Sequence, residues 1–119
     1  VDMGDKISLT TQFASGHERL RFLYYRLREL AKAHNIALVA LSQCSHEAEG
    51  KTRITMSMLE GSKLGKAAES DIMLGIGKTD DPNNPDEPTR YINVMKNKIS
   101  GWHGTVICNL DGATSRYGV

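Results

Sequence analysis

The chain has 119 residues, 39% hydrophobic and 24% charged, a size that suits one small domain with one core. Its 15 Lys and Arg nearly balance 14 Asp and Glu, leaving a formal charge of +1, so bulk electrostatics select neither nucleic acid nor membrane and any basic surface has to be local. The longest apolar run, Ile36 to Leu41, falls far short of the roughly 20 residues of a spanning helix. Together with two distant cysteines, Cys44 and Cys108, that show no Cys-x-x-Cys or zinc-type spacing, this predicts a soluble, cytoplasmic protein with reduced core thiols and no membrane partner.

Val1-Asp2 reads as the end of a buried strand whose beginning is absent, so the chain is expected to be cut from something longer. Residues 3 to 14 keep no sustained period and predict a loop. Ser15 and Glu18 have capping-box spacing, which sets a helix start near Gly16. Leu20, Leu23, Tyr24, Leu27, Leu30 and Ala31 form its apolar stripe, and His34-Asn35 closes it, because Asn tolerates the left-handed conformation of a C-terminal cap.

Ile36 to Leu41 is apolar and does not alternate, the pattern of a strand buried on both faces of a parallel sheet, and strand, helix, strand implies a right-handed crossover. Residues 44 to 57 are polar and uneven, and Met58 to Ala68 are weakly helical. Asp71 to Ile76 predicts another buried strand. All three prolines fall in residues 80–88, which must be a surface loop. Arg90 to Lys96 and Gly104 to Leu110 predict an antiparallel hairpin around a Ser100-Gly101 turn, and Asp111-Gly112 can turn into a short last strand near Arg116-Tyr117.

Asp2, at the C-terminal end of a strand, stands where open α/β folds bind ligands, and its carboxylate can hold Mg²⁺ through water. An Asp after a strand is more often a turn or cap residue. Gln43 ends the next predicted strand at the same sheet edge, where its amide can bond a phosphate oxygen or a water without adding charge. Gly61-Ser-Lys-Leu-Gly65-Lys66-Ala67 is one residue short of a Walker A loop and ends in Ala, so it is rejected as one. Residues 49 to 66 nevertheless carry Lys51, Arg53, Lys63 and Lys66 among small and polar residues, a set suited to phosphate contacts; the bland alternative is a solvated loop offset by Glu47, Glu49 and Glu60. Lys96 and Lys98, two apart on a strand, are expected to point the same way, toward charge on a partner's phosphate. Trp102 and His103 at the hairpin tip offer stacking surface, although a turn packed on its own sheet is the commoner arrangement.

The order Val1-Asp2, capped helix, Leu38-Val-Ala-Leu-Ser-Gln43, Leu59-Glu-Gly-Ser-Lys-Leu-Gly-Lys-Ala-Ala-Glu-Ser-Asp71 and Lys96-Asn-Lys-Ile-Ser-Gly-Trp-His-Gly104 resembles the DnaB-type hexameric replicative helicases. Closest in spacing are the primase-helicases of phages and mitochondria, whose hairpin carries Lys-x-Arg-x-x-Gly-x-x-Gly. The resemblance runs along essentially the whole chain. It implies an α/β, RecA-like P-loop NTPase half-core over residues 1–119, with a mostly parallel sheet, flanking helices and a C-terminal antiparallel hairpin, in an ATP-dependent, phage-like DNA helicase. ATP and Mg²⁺ are the implied cofactors, and single-stranded DNA and a homo-oligomeric, hexameric ring the implied partners.

Asp2 then resembles the Walker B aspartate that orders Mg²⁺, Gln43 the sensor of the γ-phosphate, and Lys96 and Lys98 the fingers inserted into the next subunit's ATP site. Lys51, Arg53, Ser62, Lys63 and Lys66 fall in the counterpart of the channel loop that grips single-stranded DNA. Lys98 stands where the family carries arginine and keeps the charge without the planar fork. The phosphate-binding loop and catalytic glutamate are expected upstream of Val1. The alternatives are a RecA-like recombinase or other RecA-type ATPase, and a non-catalytic nucleic-acid-binding assembly module.

Overall fold

The computed structural model describes residues 1–61 and 63–119. Helix α1 spans Gly16–His34. The Ser15 hydroxyl accepts the Glu18 backbone N–H at 3.2 Å, satisfying one of the donors that every helix start leaves open. At the other end Asn35 takes φ 50° and ψ 48°, and the N–H groups of Asn35 and Ile36 return to Lys32 and Ala31. That pair of bonds is a Schellman ending with Asn in place of the usual glycine. The buried residues of the stripe are Leu20 and Leu23. A second, short helix, α2, covers Lys63–Glu69 and packs with α1.

The remaining regular structure is strand: β1 Ile72–Gly77, β2 Thr89–Asn97, β3 Thr105–Asp111 and β4 Arg116–Gly118. They form one open sheet in the order β1-β2-β3-β4, antiparallel at every pairing. This corrects the mostly parallel sheet expected from the sequence. Parallel neighbours need a crossover of a dozen or more residues, usually a helix, whereas antiparallel neighbours are joined by a local return. Between Ile72 and Gly118 the described chain has no helix, and each strand folds back on the one before it. The proline-rich loop, the Ser100-Gly101 turn and the turn after Asp111 are those returns.

The apolar run at residues 36–41 builds no ladder of its own. It has one paired neighbour: Leu41 N–H donates to the Val1 carbonyl at 2.9 Å, and the Val1 ammonium donates to the Val39 carbonyl. Those two bonds straddle Ala40, as in parallel pairing, but extend over a single residue. Burial on both faces is absent too, since Val39 is 73% exposed and Ile36 and Leu41 are about half exposed. β1 likewise buries one face only, with Ile72, Leu74 and Ile76 exposed.

β1 and β2 run in register from Gly77↔Tyr91 to Leu74↔Val94, then shift so that Met73 faces Lys96. Met95 is the extra residue of a β-bulge. Glycines at 75 and 77 admit the crossing 51–54 segment: a Cβ on Gly77 would lie 2.3 Å from the Thr52 carbonyl oxygen, and one on Gly75 would lie 2.6 Å from the Ile54 Cβ. A strand glycine often marks this kind of backbone approach.

The chain forms two compact units. One comprises residues 1–45 and 59–70 and buries Leu20, Leu23 and Leu59; the other comprises 46–58 and 71–119 and buries Ile54 and Cys108. Cys44 is exposed, against the expectation of two core thiols. No helix among the described residues is long and apolar enough to cross a membrane.

Candidate functional site

In the first unit the Val1 pairing brings the start of the chain beside the end of the 36–41 run. Parallel pairing at Val1 and Ala40 puts Asp2 abreast of Leu41, two residues before Gln43. Both Asp2 and Gln43 are exposed. The Gln43 carbonyl accepts the Glu60 N–H at 3.2 Å, and Cys44 bridges to Leu59 in antiparallel sense. Gln43 is thus exposed and held by its backbone just beyond the 36–41 run. A lone exposed carboxylate such as Asp2 fits the way Mg²⁺ is usually held, through one or two carboxylates, several waters and substrate phosphates. No group of three or more His, Cys, Asp or Glu that could form an all-protein metal cage occurs among the described residues.

The 3-10 turn Gly4–Lys6 follows Asp2 and carries the residue that sequence reasoning missed, Asp5. Its Oδ1 accepts the Tyr24 hydroxyl at 2.8 Å, and its Oδ2 accepts the Lys66 ammonium at 2.6 Å and the Ser42 hydroxyl at 3.3 Å. Lys66 is only 3% exposed. Its Nζ also donates to Ser42 Oγ at 2.7 Å and to the Glu60 carbonyl at 2.7 Å, and it lies 5.7 Å from the Tyr24 ring centroid. Burial, followed by the hydrogen bond and the charge of Asp5, pushes the Tyr24 hydroxyl well above its ordinary pKa. Desolvation raises the Cys44 thiol, and the Lys66 ammonium opposes that rise.

Lys66, grouped from the sequence with the residues of the 49–66 segment suited to phosphate contacts, is held here inside the first unit. An ammonium has three donors, and all three are engaged inside the unit. Lys63 opens α2 in the same unit. Ser62 lies outside the described residues.

The second unit holds the other candidates. Lys51 and Arg53 are exposed on the segment that crosses β1. Arg53 lines a cleft of about 360 Å³ together with Ile54, Asn93, Met95, His103 and Thr105. Buried Asn93 is the cleft's anchor: its Oδ1 accepts the Ile54 N–H at 2.6 Å and its Nδ2 donates to Thr105 Oγ1 at 3.3 Å. Arg53 and His103 supply positive or polar edges, and Ile54 and Met95 supply apolar wall, a combination open to a phosphate-bearing or planar group.

Lys96 is half-buried near the end of β2, whereas Lys98 is exposed and lies beyond the last strand residue, Asn97. The Lys98 N–H still donates to the Asp71 carbonyl at 2.9 Å, one position beyond the Asn97↔Ile72 pair, so backbone pairing carries on past the last strand residue. Asn97 organises the turn: its Oδ1 accepts from the Ile99 and Ser100 N–H groups, and its Nδ2 donates to Ser100 Oγ and to the Trp102 carbonyl. Trp102 packs over Gly104, where a Cβ would lie 2.3 Å from the ring.

The structure gathers Asp2, Gln43, Lys63 and Lys66 in one unit and Lys51, Arg53, Lys96 and Lys98 in the other. Neither a family model nor a curated protein matches the chain. Among solved structures it is similar to one described as an ATPase domain, at TM-score 0.81 and 18% sequence identity, covering 98% of this chain and 42% of that one. The chain therefore spans less than half the length of that structure. At such low identity the likeness is one of architecture, and this chain has the fold of part of an ATPase domain.

Proposed function

We propose that this chain is part of an ATP-driven DNA helicase, working in a homo-oligomeric ring on single-stranded DNA. The observation that carries this reading is the fold likeness to an ATPase domain along 98% of the chain. The exposed Asp2 and Gln43 near one another at the pairing of Val1 with the 36–41 run support it further. In this reading Asp2 orders Mg²⁺, whose role is to neutralise charge on the phosphates. Gln43 hydrogen-bonds the terminal phosphate or the attacking water. Lys96 and Lys98 reach the nucleotide of a neighbouring subunit, and Lys51, Arg53, Ser62 and Lys63 contact the DNA backbone.

The test is nucleotide turnover by the full-length protein with and without single-stranded DNA. Turnover stimulated by DNA and lost in Gln43→Ala is expected. Steeply salt-dependent DNA binding without turnover would instead favour a non-catalytic binding module, and strand exchange without unwinding would favour a recombinase.

A further inference from the structure

Lys66 carries a charge in a place where charge is costly. Taking an ammonium and a carboxylate out of water is expensive, and a buried ion pair often gives no more stability than an apolar pair of the same volume. The Lys66 side chain is 2% exposed and that of Asp5 23%. What the pair does supply is direction. Lys66 Nζ bonds Ser42, the residue before Gln43, and the carbonyl of Glu60, whose own N–H bonds the Gln43 carbonyl. The chain runs from Lys66 to Ser42, through Gln43 to Glu60, and back to Lys66. Asp5 ties this closed ring to the turn that follows Asp2.

We propose that Lys66, oriented by Asp5, is a positioning residue that fixes the backbone of Gln43 relative to Asp2, so that the Gln43 amide meets its target in one orientation. The functional part of this inference rests on the reading of Gln43 given above. Lys66 touches no substrate in this scheme and acts through Ser42 and Glu60.

The first test is amide hydrogen exchange on the full chain. In Lys66→Met the Glu60 amide, which donates to Gln43, exchanges at least tenfold faster, while amides in the middle of α1 keep their protection. Unchanged Glu60 protection in a folded Lys66→Met variant would overturn the proposal. Should the single variant fail to fold, Asp5→Leu combined with Lys66→Met removes both charges and is the variant to measure.

The second test is turnover in the full-length protein. The same variants are expected to lower the DNA-stimulated kcat at least tenfold while the KM for ATP stays within twofold, a split that is checked against the folded fraction of each variant. Wild-type kcat in a folded double variant would also overturn the proposal. Wild-type protein that shows the Glu60 protection but no DNA-stimulated turnover would overturn the helicase reading and the functional part of the inference with it, leaving the ring as structure alone.

Discussion

The Tyr24 hydroxyl donates to the Asp5 carboxylate at 2.8 Å, linking the middle of α1 to the turn that follows Asp2. Because burial and Asp5 raise the Tyr24 pKa, the folded state holds this proton more tightly than the unfolded chain does. The associated stability is complete below the unfolded tyrosine value of about 10 and is lost as pH rises beyond it. Thermal midpoints measured from about pH 8 to 11 should therefore fall more steeply above about pH 10 in the wild type than in Tyr24→Phe. Parallel curves would show that Tyr24 titrates like an exposed tyrosine.

Asn93 supplies the side-chain acceptor for the buried Ile54 N–H. Asn93→Ala strands that donor and should cost about 1–3 kcal/mol in urea unfolding. The loss should appear in the denaturation midpoint, with the slope unchanged.

A Cβ on Gly77 meets the Thr52 carbonyl, a backbone atom that cannot swing aside. Gly77→Ala should destabilise by about 1–3 kcal/mol, as overpacking does. Gly112→Ala is the control, since its Cβ has no neighbour within 4 Å, and its effect should stay within about 0.5 kcal/mol. Equal effects at both positions would contradict the close crossing over β1.

Exposed Lys51 and Arg53 and buried Lys66 make opposite predictions for DNA binding. If each exposed cation neutralises one phosphate of a single strand, Lys51→Ala and Arg53→Ala should each flatten the log–log salt dependence by about 0.7. Folded Lys66→Met should leave that slope unchanged. A slope change at position 66 equal to the others would mean that Lys66 leaves its pocket to bind DNA.

Local signals are legible in the sequence and long-range ones are not. Ser15 and Asn35 mark the ends of α1 because caps are written within a few residues of the bonds they make. The proline loop and the β2–β3 hairpin are readable for the same reason. Strand partners depend on distant chain, and an apolar run such as 36–41 has the same composition whether it is sandwiched or, as here, left mostly exposed. The position of Lys66 is hidden by distance: its partner Asp5 stands 61 positions away, in a turn with no periodicity to mark it. Of the candidate site, Asp2 and Gln43 are read from the sequence by their place at the ends of predicted strands, while Asp5, Ser42 and Asn93 require the fold.

The bulge at Met95 has a consequence for Lys96. Side chains alternate along a strand, so parity alone decides which face a residue serves, and one extra residue reverses that parity for everything beyond it. Counting by twos from Asn93 would seat Asn97 on its face and Lys96 on the other, but the shifted register sets Lys96 opposite Met73 and Asn97 opposite Ile72. Lys96 thereby joins the face that holds Gly75 and Gly77, and Asn97 joins the face that bears Ile72, Leu74 and Ile76. The cation's address is written by a residue that carries no charge: ironing Met95 into regular pairing with Met73 would preserve every lysine in the chain and still send Lys96 to the opposite side of the sheet.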